Sequence, residues 1–111
     1  MTDLMIVLTT VPKNAADELA SRLVDERLAA CVNVHVPMTS TYRWKGRTER
    51  QEECQLVAKT STSRLADLER RLHELHPYEL PEFIVIRAAA ASPQYAAWVA
   101  DETSSSTVDG P

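Results

Sequence analysis

The chain is poor in residue types that define several classes of small protein. Its 111 residues include only two cysteines, Cys31 and Cys54, and they lack C-x-x-C spacing. Zinc ribbons, thioredoxin-type redox pairs and iron–sulfur proteins need more thiols or closer ones, so these classes are excluded. Aromatic residues make up 5% of the chain and no K/R-G-F segment is present, which is atypical of RNA-recognition domains.

An excess of positive charge and a long apolar segment are also lacking. Twelve Lys and Arg stand against sixteen Asp and Glu, and a nucleic-acid-binding module would need a concentrated basic face. The longest nearly apolar run, Leu4 to Leu8, is too short to span a bilayer. Asp3 stands where a signal peptide would carry basic residues. We therefore expect one cytoplasmic domain without a nucleic-acid or membrane partner.

Hydrophobic periodicity alternates between strand-like and helix-like segments along the chain. A hairpin turn is predicted at Lys45-Gly46-Arg47, and the residue before Pro77 should end a helix. The first predicted elements are a strand over 4–8, a break at 11–14, a helix capped by Asn14 that ends near Ala30, and strands over 31–36, 40–44 and 49–60. They are followed by a helix that is capped within 61–63 and stops at 76–77, a strand over 83–86, and a short helix that begins at Pro93.

The order strand, helix, strand, strand, helix, strand predicts a fold class. It is the split βαβ, ferredoxin-like α+β arrangement, an antiparallel sheet with both helices on one face. The middle strands form a long hairpin that is bent at Pro37. We assign residues 1–102 to this domain and predict that the Ser/Thr-rich residues 103–111 are a disordered tail.

The first and last strands predict self-association. Both are apolar at successive positions, so aliphatic side chains would remain on the sheet face that the helices leave open. A patch of that kind on a soluble protein is usually a partner surface. The alternative is that the C-terminal helix, with Trp98, folds back over the face. Free edges of the hairpin could also pair with a neighbouring subunit.

Two side chains are candidate metal ligands. Cys31 and His35 lie about 13 Å apart on one strand, so they cannot share a metal ion, and a lone cysteine is more often a small buried hydrophobe. His76 is the better candidate, because it stands between a helix end and a proline-held loop that carries Tyr78 and Glu82. Several polar groups could converge there.

Enzyme signatures are missing from the sequence. It has no H-E-x-x-H, no P-loop and no nucleophile in a recognisable motif, so no catalysis is expected. Glu53 and Lys59 share one strand parity, which typically indicates solvated surface; an enzyme acting through this pair is the remaining alternative. Trp44 lies far from the core near the hairpin tip, where a large aromatic usually packs on a partner subunit or a ligand.

Several segments together resemble the CutA divalent-cation tolerance proteins. They occur in the family's order and spacing from about Leu4 to Val99, and H-P-Y-x-x-P-E with the Y-x-W-x-G hairpin tip is the most specific part. The matching segments are Ala30-Cys31-Val32-Asn33, Ser40-Thr41-Tyr42-Arg43-Trp44-Lys45-Gly46, Glu53, Lys59-Thr60, His76-Pro77-Tyr78-Glu79-Leu80-Pro81-Glu82, Tyr95 and Trp98.

The resemblance implies a ferredoxin-like homotrimer, similar to the PII signalling trimers, whose bent hairpins extend the sheets of neighbouring subunits. It implies no enzymatic activity and no organic cofactor, but an association with copper and other divalent cations. Of the family's described copper ligands, the cysteine position holds Thr9 here and the two histidine positions hold Leu75 and His76. His76 is thus the matching ligand, with Cys31 or a carboxylate such as Glu82 as its predicted partner.

The resemblance also implies clefts between subunits. Their predicted lining consists of Tyr42, Trp44, Glu53, Lys59, Tyr78 and Glu82. The predicted function is a non-catalytic homotrimer that responds to metal ions and binds copper or another divalent cation weakly. The alternative is a PII-like signalling or scaffold trimer that binds a small metabolite, for example an anionic one, or a partner protein in these clefts.

Overall fold

A computed structural model describes residues 3–104 as one five-stranded antiparallel sheet with three α-helices. The sheet order is β2-β4-β1-β5, and β3 pairs with β4 beside β2. This architecture confirms the predicted ferredoxin-like α+β class. The elements are β1 Leu4–Pro12, α1 Ala16–Asp25, β2 Cys31–Val34, β3 Met38–Trp44, β4 Arg47–Ser61, α2 Leu65–Leu75, β5 Ile84–Arg87 and α3 Pro93–Glu102.

The longest strand, β4, belongs both to the body of the molecule and to a projecting hairpin. Its C-terminal half lies between β1 and β2, whereas its N-terminal half pairs with β3 alone. Lys45 and Gly46 close the hairpin with φ angles of 52° and 80°, which suit a tight two-residue turn. The predicted long hairpin and its turn are therefore confirmed, and the molecule extends to 49 Å along its longest axis.

The core lies between the sheet and the first two helices. Leu23 of α1 and Leu68 and Leu72 of α2 are almost completely buried, and they belong to one cluster with Val7 and Leu56 of the sheet. Because side chains alternate along a strand, the neighbours of these sheet residues face the other way. Both helices therefore cover one face, as the sequence predicts.

Helix α3 covers one end of the opposite face. Val99 packs there with Leu4 and Ala30. Ile84 and Ile86 of β5 remain 47% and 46% exposed. The alternative, in which the C-terminal helix folds back over this face, therefore holds for one end of the face. The side chain that packs against the sheet there is Val99, whereas Trp98, which was expected in that role, is 42% exposed.

The N-terminal part of the first helix and its end differ from the prediction. Asn14 lies in a short 3-10 turn, and Ala15 occupies the cap position without a side-chain hydrogen bond, so the predicted Asn14 cap is wrong. The helix ends at Asp25 and does not reach Ala30, because Arg27 adopts a left-handed conformation with a φ of 60°.

Of the two predicted ends of α2, the N-terminal one is wrong and the C-terminal one is confirmed. A 3-10 turn over Thr62–Arg64 precedes the helix, and neither Ser61 nor Arg64 caps a helix through its side chain, so the predicted Ser/Thr cap is wrong. The C-terminal end is as predicted. His76 has an extended conformation (φ −75°, ψ 136°) before Pro77, where proline disfavours the helical region.

Several strand bounds and the tail boundary also shift. β1 continues to Pro12, because Val11 and Pro12 still pair with Cys54 and Glu53; the predicted break there is wrong. Strand β2 ends at 34 and β3 begins at 38, β4 spans 47–61, and β5 spans 84–87. Thr103 is fully buried, and its hydroxyl lies 2.9 Å from the Ser61 hydroxyl. Residues 105–111 of the predicted tail lie outside the described residues.

We predict that Leu68→Ala lowers the free energy of unfolding by about 2–5 kcal/mol, because it removes a completely buried side chain and leaves a cavity. Val36→Ala, at an 81% exposed position, should change it by less than about 0.5 kcal/mol. Urea unfolding at one fixed protein concentration measures both variants. Equal effects of the two substitutions would contradict the placement of the core.

Candidate functional site

A cavity of about 730 Å³ lies between the projecting hairpin and the loop that follows α2. Strand alternation places its strand residues on the face opposite α1 and α2, since Cys54 points into the core and its neighbour Glu53 lines the cavity. We call this cavity the hairpin cleft. Its lining consists of Thr10, Ser40, Tyr42, Trp44, Gln51, Glu53, Pro77, Tyr78, Glu79, Leu80, Pro81 and Glu82.

Five of the six predicted cleft residues meet in the hairpin cleft, and Lys59 does not. Tyr42 and Trp44 come from β3, Glu53 from β4, and Tyr78 and Glu82 from the loop. The Lys59 ammonium donates a hydrogen bond to the Asn33 side-chain oxygen. Lys59 lies six residues from Glu53 along β4, roughly 20 Å at the usual rise per strand residue.

The carboxylate of Glu53 is the most unusual group in the cleft. Glu53 is only 5% exposed, and in residues 3–104 it takes part in no salt bridge. Its Oε2 accepts a hydrogen bond of 2.5 Å from the Tyr78 hydroxyl. Burial, and then this bond, raise the pKa of Tyr78, so the phenol stays protonated and remains a donor. A buried carboxylate thus has a hydrogen bond but no paired positive charge.

Thr10 connects His76 with Glu82. The backbone oxygen of Thr10 lies 2.8 Å from His76 Nε2, and the Thr10 hydroxyl donates to Glu82 Oε1 at 3.3 Å. His76 Nδ1 accepts the Tyr78 backbone N–H at 3.1 Å. This pair of bonds assigns the proton to Nε2 of a neutral ring. Burial lowers the pKa of His76, and the bond to Thr10 opposes that shift.

The two predicted metal ligands are not brought together within one chain. Cys31 stands opposite Lys59 in β2, whereas His76 lies against Thr10. As a ligand, His76 would have to give up one of its two hydrogen bonds. In the described part of the chain, no three His, Cys, Asp or Glu side chains form a group that could hold a metal ion. His76 and Glu82 both contact Thr10, whereas Cys31 lies in a different strand.

The aromatic side chains of the hairpin are partly exposed at the mouth of the cleft. Tyr42 donates from its hydroxyl to Gln51 Oε1 at 2.9 Å, and it is 38% exposed. The Lys45 ammonium lies 5.7 Å from the centre of the Trp44 ring, whose exposed fraction is 36%. An alkylammonium group therefore already approaches a cleft aromatic.

Sequence reasoning missed Thr10, Gln51 and Glu79. Gln51 has the same strand parity as Glu53, and this signal could have found it. Thr10 had no local signal, since its partners Glu82 and His76 are 72 and 66 residues away.

The fold is that of an α+β protein with a PII-like architecture. The match to a protein family is more specific: the model of the CutA1 divalent ion tolerance proteins matches residues 5–102. The chain belongs to this family, which confirms the resemblance seen in the sequence.

Individual relatives support the same assignment. The Divalent-cation tolerance protein CutA of Thermus thermophilus is 40% identical over 99 residues, which cover 88% of this chain and 96% of the relative. The crystal structure of CutA from Xylella fastidiosa superposes with a TM-score of 0.90 at 38% identity, over 93% of this chain and all of that one. The PII-like protein CutA from Nostoc, in apo form, gives a TM-score of 0.86 at 41% identity, over 90% and 97%.

None of the helices within residues 3–104 has the length and apolar character needed to cross a bilayer. A structural relative from Archaeoglobus fulgidus, 25% identical with a TM-score of 0.86 over 91% of this chain and 99% of that one, is described as a periplasmic divalent cation tolerance protein.

We predict that His76 makes stability depend on pH. Because its pKa is lowered from 6.5 in the folded state, the unfolded chain binds the proton first as the pH falls. The contribution is complete above about pH 6.5, and the free energy of unfolding should fall as the pH drops from there towards the folded-state pKa. His76→Gln should flatten this part of the curve.

The control is His73→Gln, in the last turn of α2, where the exposed ring bonds to the Glu69 backbone. Denaturant unfolding at several pH values measures the three slopes. A His76→Gln curve as steep as that of the wild type would contradict the assignment of a neutral, buried imidazole.

Proposed function

We propose that this chain is a non-catalytic, cytoplasmic homotrimer of the PII-like type that takes part in the response to divalent cations and binds copper or a related cation weakly. The observation that carries the proposal is the charge of the hairpin cleft. Three carboxylates line it, those of Glu53, Glu79 and Glu82, and none of the Lys and Arg residues within 3–104 of the same chain does. A cleft of that composition favours the binding of cations. It disfavours the small anionic metabolite that a PII-like signalling protein, the alternative function, could bind there.

The ligand chemistry follows from Thr10 and its neighbours. Glu82 supplies a carboxylate, and His76 supplies an imidazole that must first release either Thr10 or the Tyr78 N–H. Imidazole and carboxylate together suit copper and similar divalent ions. The hydrogen bond that must be lost makes the site weak. Cys31 stays a predicted partner, with less support, because it lies in a different part of the sheet.

We predict that Cu²⁺ affinity falls at least about tenfold in His76→Ala and in Glu82→Gln. The controls are His73→Ala and Glu52→Gln, an exposed imidazole and an exposed carboxylate that lie outside the cleft. Calorimetric titration with Cu²⁺ alone measures the wild type, these four variants and Cys31→Ala. Unchanged binding in both His76→Ala and Glu82→Gln would remove the proposed ligand pair, and lost binding in Cys31→Ala alone would shift the site to the thiol.

The trimer is supported by the apolar surface that one chain leaves uncovered. Ile84, Val85 and Ile86 of the edge strand β5 are all between 40% and 47% exposed. A patch of this kind at a sheet edge is typical of a subunit interface. Clefts between subunits would then form where hairpins meet neighbouring sheets, and Lys59 stays a predicted member of such clefts.

We predict a particle of about 37 kDa, three times the 12.4 kDa chain, in light scattering at micromolar concentration. Ile84→Lys should lower the mass towards that of one chain, because it places a charge on the apolar edge. Val24→Lys, at a similarly exposed position on α1, should leave it unchanged. A wild-type particle of 12.4 kDa would contradict the proposal.

A further inference from the structure

We propose that the hairpin cleft binds a short linear diamine or polyamine, with ammonium groups at Glu53 and Glu82 and the alkyl chain against the aromatic side chains between them. The inference rests on the proposed function only in taking the cleft as a cation-binding site. It assigns an organic ligand class in addition to the metal ion.

The first support is the size and lining of the cleft. A cavity of about 730 Å³ is in the range of sites for small organic molecules and is far larger than a bare ion needs. Tyr42, Trp44 and Tyr78 supply aromatic surface, and Leu80 and Pro81 add aliphatic surface. Methylene groups pack on such walls, while a hydrated metal ion gains nothing from them.

The second support is the uncompensated charge of Glu53. Burying a carboxylate is costly unless a positive charge is paired with it, and a single phenol does not supply that charge. The carboxylate lines the cleft, so a bound ammonium could reach it. Ammonium donates three hydrogen bonds and can therefore serve a carboxylate that has already accepted one from Tyr78.

The third support is that the two carboxylates are anchored at different points of the sheet. Glu53 stands opposite Pro12 in the register, and Thr10 lies two residues from Pro12 along β1 on the same face. Glu53 and Thr10 are therefore diagonal neighbours, roughly 7–8 Å apart. The Tyr78 hydroxyl donates to Glu53 and the Thr10 hydroxyl donates to Glu82, so each carboxylate has its own anchor in the cleft. Two such anchors suit two positive charges joined by a short alkyl chain.

The fourth support is the position of the Lys45 side chain. Its ammonium lies over the Trp44 ring at 5.7 Å from the ring centre. This alkylamine of the chain itself shows that the ring accepts a primary ammonium through a cation–π contact.

The test is a fluorescence titration of the full chain in the Trp98→Phe background, where Trp44 is the remaining tryptophan. Butane-1,4-diamine is the probe, at constant ionic strength and with a chelator present so that metal ions play no part. We expect saturable binding of the diamine. Butylamine should bind at least about tenfold more weakly because it has one charge, and butane-1,4-diol should not bind.

Glu53→Gln and Glu82→Gln should each weaken diamine binding at least about tenfold. Glu52→Gln is the matched control, since strand alternation turns this exposed carboxylate away from the cleft. Glu82→Gln keeps the test valid if Glu53→Gln does not fold, because Glu82 is only partly buried.

The proposal would be overturned by equal binding of diamine and butylamine, by the absence of saturable binding, or by equal losses in Glu52→Gln and the cleft variants. It would also be overturned if Lys59→Met raised diamine affinity about tenfold, since a lysine of the assembly would then be the natural occupant. Cu²⁺ binding with no diamine binding would remove this inference alone and leave the proposed function standing.

Discussion

The hairpin cleft depends on one buried negative charge at the point where β4 leaves the body of the protein. At Glu53 the strand pairs with β1 on one side and with β3 on the other. Beyond it, towards the hairpin tip, β1 no longer accompanies β4, and the loop after α2 faces the space that opens. The backbone therefore fixes a carboxylate where protein surrounds it but supplies no opposite charge. The proposed binding of cations in the cleft rests on this position.

The regular pattern of the fold could be predicted from the sequence, whereas the element ends could not. Buried positions such as Val7, Leu68 and Leu72 recur at the strand and helix periods, and their faces are therefore correct. The first helix stops at Asp25 because Arg27 turns left-handed, and that turn has no glycine to announce it. Leu28 continues the apolar spacing beyond the helix, so its periodicity extended the predicted helix too far.

The site was predictable where its residues lie close together in the sequence. The run from His76 to Glu82 carries a helix stop, a phenol and two carboxylates, and its residues 77–82 line one wall of the cleft. The role of Thr10 could not be predicted, because it arises from contacts across the fold. Lys59 shares the strand parity of Glu53, but distance along β4 separates the two within the chain. The parity of a residue in a strand shows which face of the sheet it lies on, but it does not show how far along the strand two residues are from each other.

The most direct test of the account is a crystal structure of the assembled full chain grown with butane-1,4-diamine and without added metal. The account predicts electron density for an alkylammonium in the hairpin cleft, with one nitrogen at hydrogen-bond distance from the Glu53 carboxylate. A lysine or arginine side chain of a second subunit paired with Glu53 would contradict it, because the protein itself would then neutralise the buried charge.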